Sequence, residues 1–379
     1  DLERCSDEEA LHEWLTETIQ ARELRIVVTR GRSTISERNS VLIDRLLILG
    51  DGSAAEAELP SSIEPKAILV RLWPSHQQRC FSQIWSGGHN LRHVVNLRPA
   101  EVSHQQRLAR LLLRIPNILV LGGGGARGFA HVGALAAMEE LAIDDIDMVM
   151  GVSIGSLVAS LYAFGLKAQE IFDNLERVII RSKPYQLTFP RDSLFTLANS
   201  QREIGNFFSP CLLQDSWLNL QCFSTNLTGN VLHTWKQGNI ATAVIASMSV
   251  PGIFPPVEDG EGNLHVDGGI LNNLPIRAAR SLTDGRVIAI SLSSSAEPTQ
   301  PNGQPAHGPA RRPSLATTII GSMMCASQAE TKAQERLADM ILKPEIGGYS
   351  FLEWKSYRSI YDVGYTYTRG QLREANSLA

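Results

Sequence analysis

Two neighbouring stretches of the sequence decide the fold, and each repeats the order of strand, tight turn and helix. Residues 118–141 read ILVLGGGGARGFAHVGALAAMEEL, and residues 148–165 read MVMGVSIGSLVASLYAFG. In each stretch a short apolar run leads into glycines and then into an apolar segment of helical length. Strands that alternate with helices in this way predict a parallel sheet covered by helices on both faces.

Downstream segments extend the same α/β pattern. Residues 240–256 (IATAVIASMSVPGIFPP) predict an apolar helix that ends in a proline-rich turn. Residues 264–269 (LHVDGG) predict a strand running into a turn, and residues 287–293 (VIAISLS) predict another strand. Residues 295–313 are rich in Pro, Gly and polar residues, which predicts a mobile surface loop inside the domain. A helical pattern resumes near Leu315.

The N-terminal third predicts a smaller α/β region that carries no catalytic constellation. Its predicted helices cover residues 7–22 and 102–113, and its predicted strands cover residues 24–29, 45–49 and 67–72. Pro116 ends the second helix, because proline lacks the N–H that a helix needs. We therefore predict an N-terminal region of unknown role at residues 1–115 and a main domain at residues 116–379.

Composition limits the classes of function. The 379 residues are 43% hydrophobic and 20% charged, which is typical of a globular protein with a packed core. A net charge of −4 gives no support for a nucleic-acid partner. The five cysteines form no CxxC pair, so we predict no metal site and a reducing, cytoplasmic compartment. No apolar stretch is long enough to span a membrane. Because the chain starts at Asp1, we expect it to be a fragment or a processed product.

The pentapeptide Gly151-Val152-Ser153-Ile154-Gly155 fits the nucleophile-elbow pattern G-x-S-x-G. An apolar strand precedes it and an apolar helix follows it, as the chemistry requires. The serine must lie on a tight turn that exposes its hydroxyl, and flanking Gly151 and Gly155 let the backbone approach closely. The following helix directs its N-terminal N–H groups towards a developing oxyanion. Ser153 is therefore the predicted nucleophile, whereas an ordinary helix-capping serine is the alternative.

The glycine loop at residues 122–128 (GGGGARG) allows two interpretations. Its backbone N–H groups suit either a phosphate or an oxyanion, and it also fits the dinucleotide fingerprint G-x-G-x-x-G. That fingerprint needs an acidic residue at the end of the next strand. Asp145 and Asp147 have the required spacing, but they precede the strand that leads to Ser153. The sequence therefore favours an oxyanion hole.

Asp267 is the predicted partner of the serine. It follows a short strand and precedes Gly268-Gly269, so a solvated turn aspartate is the alternative. A Ser–Asp–His order would need a histidine after Asp267, and only His307 in the Pro/Gly-rich loop satisfies that order. His265 precedes Asp267 by two residues on the same strand, and His131 has the position of a packing or capping residue. The sequence therefore predicts a Ser153–Asp267 dyad.

The motifs GGGGARG, GVSIG, ASMSVPGIFPPV and VDGG, in this order, resemble the patatin-like phospholipase family over about residues 116–290. The flanks at residues 107–128 and 357–370 are similar to its neuropathy target esterase-like branch. The resemblance implies a three-layer α/β/α fold with a mostly parallel central sheet, and a catalytic dyad at Ser153 and Asp267. It implies an oxyanion hole formed by Gly123, Gly124 and Gly125, with Arg127 beside it. In that branch cyclic-nucleotide-binding-like regulatory domains usually lie upstream, and none is visible in this sequence, which fits either a truncated chain or a shorter relative.

We therefore expect a serine lipid hydrolase that releases fatty acid from a phospholipid or lysophospholipid and needs no cofactor or metal. Its partners are then the lipid and, transiently, a membrane surface, which makes it a peripheral protein. Residues 187–208 carry the side chains expected to contact lipid, with ordinary burial in the core as the favoured alternative for any single phenylalanine: Phe189, Leu194, Phe195, Phe207 and Phe208. Two alternatives stay open: a nucleotide-binding regulatory protein that uses the GGGGARG loop, and a membrane-associated scaffold with inert motifs.

Overall fold

The computed structural model describes residues 45–50, 64–73, 91–181, 198–293 and 315–378, together with residues 43, 62, 186, 187, 195 and 196. The helix predicted at 7–22, the strand predicted at 24–29 and the loop predicted at 295–313 lie outside the described residues. The chain forms two compact units that divide between Gln105 and Gln106. The sequence analysis placed that boundary after residue 115, ten residues later.

The first unit contains a three-stranded parallel sheet in the order β1-β2-β3. Its strands are β1 (Leu46–Gly50), β2 (Ala67–Leu72) and β3 (His93–Leu97). The central strand β2 is almost entirely buried, whereas β1 has exposed positions, as expected for an edge strand. Strands β1 and β2 agree closely with the apolar runs predicted at 45–49 and 67–72. Helix α1 (Val102–Leu112) follows.

The second unit is built on a mixed sheet in the order β10-β11-β8-β5-β4-β12-β13, with β9 paired to β8. The strands are β4 (Ile118–Leu121), β5 (Met148–Val152), β8 (Asn219–Asn226), β9 (Val231–Trp235), β10 (Val257–Glu258), β11 (Leu264–Asp267), β12 (Val287–Ile290) and β13 (Met340–Leu342). A separate two-stranded pair consists of β6 (Gln186–Leu187) and β7 (Phe195–Thr196). Strands β8, β5, β4, β12 and β13 are parallel, so the predicted mostly parallel sheet is confirmed.

Helices flank this sheet. They are α2 (Phe129–Glu140), α3 (Ile154–Ala163), α4 (Ala168–Leu175), α5 (Ala198–Phe208), α6 (Ile240–Met248), α7 (Ile276–Leu282), α8 (Leu315–Glu335) and α9 (Tyr357–Leu378). Every residue of β4 and β5 is buried, because helices cover both faces of these central strands. This burial explains why both strands are continuous apolar runs.

One sequence prediction about the surface is wrong. Phe208 was expected to contact lipid, but it is only 2% exposed and belongs to the hydrophobic core of the second unit. Its ring packs edge-on against Phe164 and Phe207. Apolar periodicity on α5 therefore reflects packing, and Phe207 is itself half-buried. Phe189 and Leu194, in the same predicted surface, lie outside the described residues.

The sheet order brings the motifs to one place. Strands β4 and β5 are parallel neighbours, with Leu121 opposite Gly151. The glycine loop and Ser153 each follow the carboxyl end of one of these strands, so they meet at the same edge of the sheet. This edge is where open α/β sheets bind their ligands.

Candidate active site

Ser153 lies on the turn between β5 and α3 in a backbone conformation that L-amino acids rarely adopt, with φ 53° and ψ −127°. The turn is tight enough that a Cβ on Gly151 would lie 2.3 Å from the carbonyl oxygen of Gly155. A Cβ on Gly155 would lie 2.4 Å from the carbonyl oxygen of Leu121. Both glycines are therefore required by close backbone approach, and the turn presents a half-buried Ser153 at the edge of the sheet.

Asp267 reaches Ser153 across one intervening strand. Asp267 ends β11, where it lies opposite Ser224 of β8. The preceding residue, Phe223, lies opposite Val152 of β5, so Asp267 is level with the residue after Val152. The interaction of the Ser153 side chain with the Asp267 carboxyl acts to lower the pKa of that carboxyl. Two residues 114 positions apart (267 − 153) thus meet at one edge of the sheet.

The environment of Asp267 makes it a stronger base than an ordinary carboxylate. It is only 3% exposed. Burial raises the pKa of Asp267 to about 6, although hydrogen bonds from the Ser153 hydroxyl and from the Gly269 N–H, at 2.7 Å, act in the opposite direction. A carboxylate with this pKa is ionised at pH 7 and still accepts a proton readily, as a general base must.

Both ring nitrogens of His265 bond residues other than Ser153 and Asp267. It is fully buried, with Nδ1 2.9 Å from the Ser224 hydroxyl and Nε2 3.0 Å from the Asp259 carboxylate. The Trp235 indole donates to the same Ser224 oxygen at 2.7 Å, and His265 Nε2–H donates to the Asp259 carboxylate, because an ionised carboxylate can only accept. Burial acts to raise the pKa of Asp259, but hydrogen bonds from Asn263 and His265 outweigh it and lower this pKa. His265, on β11, therefore links this strand to Ser224 of β8 and to Asp259.

His131 braces the glycine loop from helix α2. Its Nε2 lies 2.7 Å from the carbonyl oxygen of Gly122 and donates to it. Burial lowers the pKa of His131 to about 4, against the opposing effect of this hydrogen bond, so the ring is neutral at pH 7. His307 lies outside the described residues. His131 and His265 thus both bond groups other than Ser153 and Asp267.

The glycine loop lies directly against Ser153. A Cβ on Gly123 would lie 3.1 Å from the Cβ of Ser153. Gly125 has φ +57°, and a Cβ there would lie 2.4 Å from the carbonyl oxygen of Phe351, so only glycine fits. The Gly123 N–H donates to the Asn273 carbonyl at 3.3 Å. Within the described part of the chain, the N–H groups of Gly124 and Gly125 donate to no protein acceptor, which leaves them available for an oxyanion.

Arg127 anchors the loop with its side chain. Its Nε donates to the Tyr349 carbonyl at 2.8 Å and its guanidinium also donates to the Leu292 carbonyl at 3.3 Å. The guanidinium lies 4.3 Å from the centre of the Phe351 ring. Burial lowers the pKa of Arg127. The expected oxyanion role of Arg127 is thus best described as holding the loop against the 349–351 segment.

Two residues that the sequence analysis did not single out hold the site together. The Ser247 hydroxyl, on α6, accepts a hydrogen bond from the Ser153 N–H at 2.8 Å and donates to the Phe223 carbonyl at 2.5 Å. The Asn273 amide donates to the Gly123 carbonyl at 3.1 Å. Both residues lie inside or next to the motifs ASMSVPGIFPPV and VDGG, and that proximity is the only sequence signal they give.

The acidic residues considered for a dinucleotide site have other partners. Asp147 is fully buried and accepts hydrogen bonds from Nε and Nη2 of Arg110, both at 2.8 Å. Asp145 pairs with Arg286 at 2.6 Å. Both carboxylates lie at the amino end of β5, away from the glycine loop. The described residues contain no group of His, Cys, Asp and Glu that could hold a metal ion, and no described helix is long and apolar enough to cross a membrane.

Known proteins resemble this chain in the same region. Residues 119–280 match the sequence profile of the family described as patatin-like phospholipase. Patatin-like phospholipase domain-containing protein 6 of Mus musculus is 32% identical over 313 residues, which are 74% of this chain and 23% of that protein. Lysophospholipase NTE1 of Meyerozyma guilliermondii is 33% identical over 281 residues, which are 69% of this chain and 19% of that protein.

Among solved structures, VipD from Legionella pneumophila aligns with 69% of this chain and 67% of its own, at 15% identity and a TM-score of 0.41. The matched part of the chain spans only about a fifth of the length of the Mus musculus and Meyerozyma guilliermondii relatives. The matched region contains the glycine loop, Ser153 and Asp267, and the resemblance inferred from the motifs is confirmed.

Proposed function

Because the chain belongs to the patatin-like phospholipase family, we propose that it hydrolyses the carboxylic ester of a phospholipid or lysophospholipid with a Ser153–Asp267 dyad. The observation that carries the proposal is the placement of a buried Asp267 level with Ser153 across one strand, where its pKa is about 6 and is influenced by the Ser153 side chain. This placement pairs a nucleophile with a base without an intervening imidazole.

The first half-reaction acylates Ser153. Asp267 accepts the hydroxyl proton while the serine oxygen forms a bond to the ester carbonyl carbon, and the carbonyl π electrons move to oxygen. The N–H groups of Gly124 and Gly125 stabilise that oxyanion. When the tetrahedral intermediate collapses, the bond to the alkoxy oxygen breaks, and the leaving alcohol takes the proton from Asp267.

The second half-reaction releases the fatty acid. Asp267, again ionised, accepts a proton from water as the water oxygen attacks the acyl carbon, and the same N–H groups hold the second oxyanion. Collapse breaks the bond to Ser153, which recovers its proton from Asp267. Removing one oxyanion donor from a well-studied protease slows the reaction by about 100- to 1000-fold, so the loop carries a large share of the catalysis.

The substrate class also places the protein at a lipid surface. A long-chain phospholipid resides in a membrane or micelle, so we infer transient, peripheral contact with such a surface. The cytoplasmic location and the absence of a cofactor stay predictions. Hydrolysis rates over a panel of phospholipids and lysophospholipids will define the preferred head group and the position of the cleaved ester.

The decisive experiment combines covalent labelling with turnover. A fluorophosphonate probe should label the wild type, and lysophospholipid should be hydrolysed, whereas Ser153→Ala should lose both activities. Ser160→Ala is the matched control, because Ser160 is a buried serine on the helix that follows Ser153, and its hydroxyl donates to the Ser156 carbonyl at 2.7 Å. Ser153→Ala activity within about tenfold of wild type would contradict the nucleophile assignment.

The dyad itself is tested with His265→Gln. His265 bonds Ser224 and Asp259, so this variant should keep most of the hydrolytic activity of the folded protein. Asp267→Asn should lose nearly all of it. If folded His265→Gln proves as inactive as Ser153→Ala, a histidine takes part and the Ser–Asp mechanism is wrong.

A further inference from the structure

Asn273 makes two contacts with the same glycine. It is a buried residue, 4% exposed, in the turn that follows Asp267-Gly268-Gly269. Its side-chain amide donates to the Gly123 carbonyl at 3.1 Å, and its own carbonyl accepts from the Gly123 N–H at 3.3 Å. This pair of bonds joins the loop after β4 to the turn after β11, over a separation of 150 residues.

The first bond fixes the orientation of a peptide group. In a trans peptide the C=O and the N–H of the next residue point in opposite directions. Among the described residues, the only cis peptide is Ser209–Pro210, so the Gly123–Gly124 peptide is trans. Because the Gly123 carbonyl points at the Asn273 amide, the Gly124 N–H points away from Asn273.

The preceding peptide is fixed in the same manner. The Gly122 carbonyl points at His131 Nε2, so the Gly123 N–H points to the other side, where it meets the Asn273 carbonyl. The Gly123 N–H is therefore bonded within the protein and is not available to a substrate. Gly124 is the first residue of the loop whose N–H is left for a substrate.

We propose that Asn273 is a positioning residue that aims the Gly124 N–H at the oxyanion formed on Ser153. The inference rests on the proposed esterase function and deepens it. Asn273 also borders the base, since a Cβ on Gly269 would lie 2.8 Å from Asn273 Oδ1 and 3.0 Å from Asp267 Oδ1. One amide thus holds the oxyanion loop in register with the turn that carries Asp267.

Removal of the amide frees the Gly123–Gly124 peptide to rotate. The Gly124 N–H would then be misdirected in the transition state but would matter little for binding of the uncharged ester. We expect Asn273→Ala to lower kcat by about 10- to 100-fold, with KM within about threefold of wild type. A merely structural residue would instead reduce the fraction of folded, active protein.

The test measures turnover per active site. A fluorophosphonate titrates the competent sites of wild type, Asn273→Ala and Asn273→Leu, and kcat for a soluble short-chain ester is divided by that number. Asn273→Leu keeps about the same side-chain volume but has no N–H donor. It replaces Asn273→Ala in the measurement if the alanine variant folds poorly. Affinity for a trifluoromethyl ketone, which binds serine as a tetrahedral oxyanion, should fall in proportion to kcat.

Asn272→Ala is the matched control. Asn272 is a buried asparagine of the same turn whose side-chain Oδ1 accepts from the Leu274 N–H at 3.1 Å instead of bonding the glycine loop. This variant should lose stability but keep kcat per titrated site within about threefold. If the Asn273 variants keep wild-type kcat per site and ketone affinity, or if Asn272→Ala loses as much, the positioning role is wrong. Failure of the esterase function itself would be recognised earlier, by an inactive wild type or an active Ser153→Ala.

Discussion

Replacing Asp267 by asparagine should abolish catalysis and yet stabilise the folded protein at neutral pH. The Asp267 carboxylate is 3% exposed, and its pKa is raised from 3.8 to about 6 because burial disfavours its charge. Asparagine has nearly the same shape and still accepts hydrogen bonds from Ser153 and Gly269, but it has no charge to bury. The proposed chemistry therefore requires a carboxylate that destabilises the fold.

The magnitude follows from linkage. The pKa of Asp267 in the folded state lies about 2 pH units above its ordinary value, and each unit corresponds to about 1.4 kcal/mol. A raised folded-state pKa contributes stability that is fully present below the unfolded-state value and is lost as pH rises through the folded-state value. The asparagine variant has no such loss. Its free energy of unfolding should therefore exceed that of the wild type by less than about 1 kcal/mol at pH 4 and by about 3 kcal/mol at pH 7.

The assay is urea denaturation of both proteins between pH 4 and pH 8, followed by far-UV circular dichroism. Asp147→Asn is the control with the opposite sign. Asp147 is also fully buried, but it is paired with Arg110, so its neutralisation should destabilise the protein by roughly 3 kcal/mol at pH 7. A pH-independent difference between wild type and Asp267→Asn, or a less stable Asp267→Asn at pH 7, would refute the reasoning.

Two further predictions follow from the site. For a soluble ester, kcat/KM should fall about tenfold per pH unit below pH 6, because protonated Asp267 cannot accept the Ser153 proton; a rate profile that stays flat down to pH 5 would contradict this assignment. Ser247→Ala should lower kcat/KM by about tenfold and stability by about 1–2 kcal/mol, since the Ser153 N–H loses its acceptor. Ser249→Ala is the control, because the Ser249 hydroxyl donates to the Ile245 carbonyl of its own helix at 2.8 Å; equal losses in kcat/KM from both variants would argue against a specific role for Ser247.

The sequence by itself determined the sheet and the residues at its edge. Apolar runs at 118–121 and 148–152 predict buried strands, because strands covered on both faces have no polar side. The glycines around Ser153 predict a turn that only close backbone approach explains, and the structure has that turn. The only histidine after Asp267, His307, lies in a Pro/Gly-rich stretch, which led to the prediction of a dyad. His265, two residues before Asp267, bonds Ser224 and Asp259.

Only the tertiary structure decided which groups do the positioning and how basic the carboxylate is. Asn273 and Ser247 bond residues 150 and 94 positions away, and no local pattern records such partners. The pKa of Asp267 depends on how completely other segments exclude water from it, which one strand cannot reveal. Phe208 shows the same limit, because a helix pattern states which residues share a face but not what covers that face.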